Sequence, residues 1–354
     1  MARRIHRTIG PLDARQHGLL RAVIEEYVAT AAPVGSQTLI ERYPLGVSSA
    51  TVRNILAELE AAGFLTHPHT SAGRIPTDAG YRYYVESIID AVPLPPIDQL
   101  LIRHQFGQLE HANQQWFRLA ATTIASATHA AGLATPAKTR TARIRRIDLV
   151  SIAEHVTSLI VVLHDGTIRQ ILATVGDDVD EARLAAAASR LDEIAAGRTA
   201  TELERRLARL PADPAGDDLV RRIGEQAVRL LRDSDAAAIA EVFSDGLLNV
   251  MAAPEFAQAD KLRRVFEALE NRAYLAELFD AVTRDERVQV FIGRENRVDA
   301  MSDVALVLMP YGRAGRAVGV VGVLGPTRMR YAHAIGTVRF VGGLMNELVD
   351  TLYA

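Results

Sequence analysis

The stretch PVGSQTLIERYPLGVSSATVRNILAELEAAGFLTHPHTSAGRIPTDAGYRYYV, residues 33–85, constrains the fold more than any other. It alternates helical periodicity with turn signals. A short helix capped by Ser36, carrying Leu39 and Ile40, runs into the turn Tyr43-Pro44-Leu45-Gly46. Ser48 or Ser49 caps the next helix, which Gly63 ends. A short strand at Phe64-Leu65 leads to a polar loop with a glycine at its tip. This is the layout of a winged helix-turn-helix, which lays one helix in a DNA major groove.

The flanks fit that layout. Asp13 caps a helix to about Ala31, and Leu12, Leu19, Leu20, Val23, Ile24 and Tyr27 form its apolar face. Thr77 or Asp78 begins a further helix, whose Tyr81, Tyr83 and Tyr84 read as packing residues.

Within the capped helix, Val52, Ile55 and Leu59 face inward. Ser49, Thr51, Arg53 and Asn54 lie near its N-terminal end. An Arg there can pair bidentately with guanine and an Asn with adenine. The helix N-terminus with Ser48 and Ser49 can hold a phosphate. The loop adds His69, Thr70, Ser71, Gly73 and Arg74, small hydroxyl residues beside one arginine, suited to the DNA backbone. The competing reading is a capped, solvated helix face. His67 and His69 straddle a proline without a third ligand, and His104 and His111 lack a carboxylate, so neither pair reads as a metal site.

Composition limits the alternatives. The 354 residues carry a formal net charge of −3. Basic and acidic residues balance over positions 1–90, so affinity for arbitrary DNA should be modest and strongly salt-dependent. The absence of cysteine removes disulfides, thiolate metal sites and cysteine nucleophiles. No apolar run spans a bilayer, and the basic start MARRIHRTIG lacks the apolar core of a secretory signal; a cytoplasmic protein without membrane contact is expected. No Ser, His and Asp fall into a catalytic order, so neither an enzyme nor a cofactor is expected.

Beyond Pro93-Leu94-Pro95-Pro96, a stiff linker, residues 97–131 read as helical around Trp116. Strands follow at Ile147–Ile152, Val156–Leu163 and Thr167–Val175, with Asp165-Gly166 as a hairpin turn. The run Lys138, Arg140, Arg143, Arg145, Arg146 before them reads as a solvated linker. Residues 178–233 are Ala- and Arg-rich and helical. Their stripes Leu184, Leu191, Ile194 and Leu203, Leu207, Leu210, continued by Leu219 and Ile223, would usually be buried against their own domain; as an insertion between strand blocks they are also candidates for burial against a second subunit. Further strands fall near Ala238–Val242, Val288–Ile292, Val304–Met309 and Ala317–Leu324, with helices at about 257–282 and 331–352. Gly319, Gly322 and Gly325 have the wrong spacing for a nucleotide loop. Arg328 is placed to anchor a salt bridge. Sheet with flanking helices makes an α+β sensor-like domain.

The segments PVGSQTL, SSATVRNILAELEAAGFL and PHTSAGRIPTDAGYRYYV, with VFIGREN, SDVALVLMPY and GVVGVLGPTRMRY near the C-terminus, resemble the HrcA family of heat-inducible transcription repressors. Two positions depart from the family's usual pattern: Ile55-Leu56 follow Arg53-Asn54 where Glu-Met is common, and Thr66-His67 stand where Glu-Gln is frequent.

The resemblance implies an α+β architecture: a winged helix-turn-helix, then a GAF-like domain interrupted by a mainly helical dimerisation insert. The expected bounds are 1–92 for the DNA-binding domain, 97–175 with 236–354 for the GAF-like domain, and 176–235 for the insert. It further implies a homodimer that binds double-stranded DNA at a CIRCE-type inverted-repeat operator and represses chaperone operons, assisted by the GroEL chaperonin. The alternative is a ligand-gated regulator sensing a metabolite through its C-terminal domain.

Overall fold

The computed structural model describes residues 12–353 apart from 69–72, 109–112, 138–140, 154, 165, 176–178, 212–216, 238–241 and 313–317. The tail Met1–Gly10, His69, Thr70, Ser71, His111, Lys138, Arg140, Asp165, the loop Arg313–Gly315 and most of the expected strand Ala238–Val242 lie outside the described residues. The chain divides into two units. One comprises Met1–Thr135, Val242–Tyr311 and Val320–Glu347; the other comprises Pro136–Glu241, Gly312–Gly319 and Leu348–Ala354.

The first unit begins with helices α1 (Ala14–Thr30), α2 (Ser36–Arg42) and α3 (Ser49–Ala61). Asp13 caps α1 in a reciprocal capping box with Gln16. Gly35, not Ser36, occupies the cap position of α2; Ser36 is its first helical residue. A two-stranded antiparallel ribbon follows, β1 (Leu65–Thr66) and β2 (Ile75–Pro76), one residue later than the expected Phe64-Leu65. Helix α4 (Asp78–Tyr83) then runs into a π-helical turn, Tyr84–Ile88. The Pro-rich linker is pinned rather than free: the Val92 amide donates to the Ala332 carbonyl at 3.0 Å, and Leu94 is buried.

Helices α5 (Pro96–Gly107) and α6 (Asn113–Thr128) occupy most of the window expected to be helical. Its end is instead a strand, β3 (Ala131–Ala134), buried along its whole length. Small residues explain the choice. A Cβ on Gly132 would collide with the Ala121 carbonyl, so only a glycine lets α6 lie this close to the strand.

The second unit contains the antiparallel sheet β4 (Ile144–Ala153), β5 (Val156–Leu163) and β6 (Ile168–Thr174), in that order. Helices α7 (Glu181–Ala195), α8 (Ala200–Leu207) and α9 (Asp217–Ala237) follow. One expectation is corrected here. The strands 144–175 were grouped with the domain that resumes at 236, yet Ile147, Leu159 and Val161 share one core with Leu191, Leu203 and Ile223 of the helices. The leucine stripes of 178–233 are therefore spent inside their own unit. Helical periodicity identified the apolar face but not the sheet that covers it.

The chain then re-enters the first unit with β7 (Phe243–Asp245), α10 (Leu247–Met251), α11 (Ala259–Glu270), α12 (Arg272–Val282), β8 (Gln289–Ile292), β9 (Val304–Gly312), β10 (Val318–Pro326) and α13 (Tyr331–Tyr353). The helix expected over 257–282 breaks at Asn271, whose side chain accepts from the amides of Ala273 and Tyr274 and so starts α12. The five strands lie in the order β7-β3-β10-β9-β8. One sheet face, with Leu306, Leu308 and Val320, shares a core with Val265, Leu278 and Val282 of α11 and α12. Arg328 makes the anticipated bridge, Nε to Glu255 Oε1 at 2.5 Å. The whole is a mixed α+β protein. Among the described residues no helix is long and apolar enough to cross a membrane.

Candidate nucleic-acid interface

Helix α3 is held by its apolar face. Val52 and Leu59 are fully buried, with Ile55 and Leu56 nearly so, against α1 and α2. Full burial of each such side chain contributes about 1.5–3 kcal/mol. Polar ties fix the rotation: Gln16 Nε2 of α1 donates to Glu58 Oε2 at 2.9 Å. Buried Glu26 of α1 accepts from Arg42 Nη1 of α2 at 2.7 Å. Gly63, at φ +85°, then takes the left-handed conformation that ends the helix turn and directs the chain into β1.

The opposite face carries the candidate residues. Ser48 is the N-cap; its Oγ accepts from the Thr51 amide at 3.2 Å and lies 2.9 Å from Thr51 Oγ1. Arg53 and Asn54 are exposed, and Arg53 Nη2 donates to Ser49 Oγ at 3.3 Å. Ser48, Ser49, Thr51, Arg53 and Asn54 are thus gathered on the first two turns of one helix. Each hydroxyl keeps hydrogen-bonding capacity beyond its local bond.

Two residues of the ribbon loop have defined structural work. The Gly73 backbone passes so close to the segment before α2 that a Cβ there would stand 2.5 Å from the Val34 carbonyl carbon. The closeness lets Val34 and Arg74 exchange backbone bonds of 2.8 and 2.9 Å, adding a third chain to the ribbon. Arg74 Nε donates to Glu60 Oε2 of α3 at 2.7 Å, and His67 Nδ1 meets the other oxygen of the same carboxylate. Glu60 is therefore the brace between α3 and the ribbon. Against the partial burial that acts to raise it, the His67 hydrogen bond and the Arg74 and His67 charges hold its carboxyl below the ordinary value of 4.5. Composition alone did not single out Glu60; its position, facing both strands at the loop end of the ribbon, emerges only once the ribbon folds back.

Sequence reasoning also missed what anchors this module. Thr77 caps α4 by accepting from the Gly80 amide, and its Oγ1 donates to the carbonyls of Gly63 and Phe64. On α4, Asp78 accepts from the Arg294 amide at 3.0 Å, while Arg82 pairs with Glu295 and donates to the Val290 carbonyl at 2.6 Å. Asp78 is pushed above its ordinary value by burial, against the Arg294 hydrogen bond. The segments DAGYRYYV and VFIGREN, conspicuous separately in the sequence, are two halves of one joint. Among the described residues no three His, Asp or Glu side chains are grouped to hold a metal ion.

The family profile described as HrcA protein C terminal domain matches residues 114–335. A protein of Roseiflexus castenholzii named Heat-inducible transcription repressor HrcA is 40% identical over 344 residues, covering 97% of this chain and 96% of the relative. A protein of the same name from Chloroflexus aurantiacus is 38% identical over 356 residues, covering 97% and 95%. A crystal structure described only as a hypothetical protein superposes with a TM-score of 0.59 at 21% identity, over 96% of this chain and 99% of that one, and shares the fold. These relatives define a class, the transcription regulators that act as repressors in the heat-shock response. The chain belongs to the HrcA family of heat-inducible transcription repressors.

Proposed function

We propose that the chain represses chaperone operons by binding, as a homodimer, a CIRCE-type inverted-repeat operator. In this reading residues 1–92 are a winged helix-turn-helix with α3 as recognition helix, and the five-stranded sheet with α5, α6 and α10–α13 is a GAF-like body. The observation that carries it is the exposed N-terminal end of α3, where Arg53 and Asn54 stand beside a braced ribbon. Arg53 and Asn54 read base edges; Ser48, Ser49 and Thr51 hold phosphates at the helix start. His69, Thr70, Ser71 and Gly73 bring the wing to the flanking backbone. Arg74, already bound to Glu60, sets the height of the wing as well as lending it charge.

An inverted repeat calls for a two-fold protein. The helical stripes are buried within the second unit, so they do not supply the contact. The outer face of β4–β6 does: Val150, Ile152, Ile168 and Leu172 are each 45–67% exposed. Val150 and Leu172 flank Ser158 across the three strands and so share that face, with Ser158 buried between them. A second copy is its proposed occupant.

GroEL enters as a folding partner. Free chaperonin keeps the repressor in its binding form; heat diverts the chaperonin to unfolded clients and the operons are released. A stability change of about 1.4 kcal/mol shifts the folded-to-unfolded ratio tenfold, enough for such a switch. The test is fluorescence anisotropy of a labelled CIRCE duplex against a scrambled one at fixed salt, with and without GroEL. Selective binding strengthened by GroEL is expected. Selective binding indifferent to GroEL removes the chaperonin step, and no selectivity from folded dimer removes the operator.

A further inference from the structure

The first unit contains a cavity of about 300 Å³ between the five-stranded sheet and helices α11 and α12. Its sheet side is Leu133, Leu306, Leu308 and Val320, and its helix side includes Phe266, Leu278 and Phe279. This volume lies at the lower end of the range of small-molecule sites.

The polar groups are few and unevenly placed. Among the described lining residues, Thr135, Ser244 and Glu270 are the only ones with hydroxyl or charged side chains. Thr135 is buried, and its Oγ1 already accepts from the Val320 amide at 2.9 Å. Ser244 and Glu270 are exposed and therefore mark the mouth. The interior thus offers apolar contact alone. Among the described lining residues the mouth offers one carboxylate and no cation. A carboxylate there repels anionic amphiphiles and attracts a protonated amine.

We propose that this cavity is a binding site for a small aliphatic amine, its alkyl chain against the leucines and its ammonium group at Glu270. The site is separate from α3 and the ribbon, and its existence does not depend on the operator reading.

The test is isothermal titration of the full-length protein with 1-octylamine, 1-octanol and octanoate at one ionic strength. Saturable binding of one octylamine per chain is expected, at least tenfold tighter than octanoate, with octanol between them. Glu270→Lys is expected to reverse the order of amine and carboxylate. Ser244→Trp, at an exposed position, is expected to block the mouth and abolish binding of all three, while thermal melting stays that of the parent. Absence of saturable octylamine binding overturns the proposal. So does binding that persists undiminished in folded Ser244→Trp, or an amine preference that Glu270→Lys leaves in place. None of these readouts uses DNA, so failure here is distinguishable from failure at the operator.

Discussion

Arg82 and Glu295, 213 positions apart, meet in a two-point ion pair, with Arg82 Nε 2.9 Å from Glu295 Oε1 and Nη2 on Oε2. The guanidinium also donates to the Val290 carbonyl, so one side chain ties α4 to both β8 and the turn after it. Glu295 is itself oriented by accepting from the Ile292 amide at 2.9 Å. Arg82→Ala should lower stability by about 1–3 kcal/mol, the range for hydrogen bonds to charged groups after allowance for partial exposure. Arg82→Lys should recover little, because an ammonium cannot make the planar two-point contact. Urea unfolding of the three proteins decides it; an alanine variant as stable as the parent would remove this joint from the account.

Gly73→Ala puts a Cβ into the Val34 carbonyl. The ribbon must move away, at a cost of about 1–3 kcal/mol. Amide exchange at Val34 and Arg74 should accelerate, because their reciprocal bonds are the first to open. DNA affinity should fall for operator and scrambled duplex alike, since the wing positions rather than reads. Unchanged exchange at both amides would contradict the close-approach argument.

The Glu60 brace carries a pH dependence of defined sign. Its folded carboxyl titrates below the ordinary value, so its contribution is complete above that unfolded value and is lost as pH falls through the lower folded one. Glu60→Gln should therefore be less stable than the parent at neutral pH. The gap should close in acid, below the ordinary carboxylate range. A gap that widens on acidification would reverse the assignment.

On the operator, Arg53→Ala should cost about 1–3 kcal/mol of discrimination between CIRCE and scrambled DNA, the worth of one bidentate base contact. Dimer and melting temperature should be unaffected, because Arg53 is exposed and bonds only within its own helix among the described contacts. Anisotropy at fixed salt measures it, and equal discrimination in parent and variant would send base reading to another residue.

The proposed dimer face is tested with Leu172→Glu. The side chain is 66% exposed, so the second unit should fold as before. Burying a carboxylate at an apolar two-fold contact opposes association, and the like charge from the second copy adds to it. Sedimentation velocity should show monomer at concentrations where the parent is dimeric. A dimer of parental strength would place the contact on another surface.

Local signals were legible in the sequence and distant ones were not. Strand β5 was anticipated at its observed limits, Val156–Leu163, because apolar side chains and a glycine turn mark it unaided. Asp13 and Thr77 announced their helices through the chemistry of capping. Strand β3 was hidden, because Ala131-Gly132-Leu133-Ala134 is too small and too short to show a period. The exposed polar face around Arg53 was legible from helix phase. Their supports were not: Glu60 depends on where the ribbon returns, and Arg82 on a partner from the far end of the chain. Leucine stripes reveal an apolar face, but only the fold shows that the face is already taken.

The order of strands also governs how the protein reaches its fold. Strand β3 pairs with β7 on one side and β10 on the other, and the whole of Pro136–Glu241 intervenes before either partner exists. A nascent chain must therefore hold this interior strand unpaired while that long stretch is made. Closing so large a loop is entropically slow, and the apolar surface waiting for it is open to aggregation in the interval. Early folding of Pro136–Glu241 on its own core would bring the two ends of the loop closer and shorten the wait. The protein's kinetic exposure is thus written into its topology: the strand that waits longest for its partners is the one the rest of the sheet is built on.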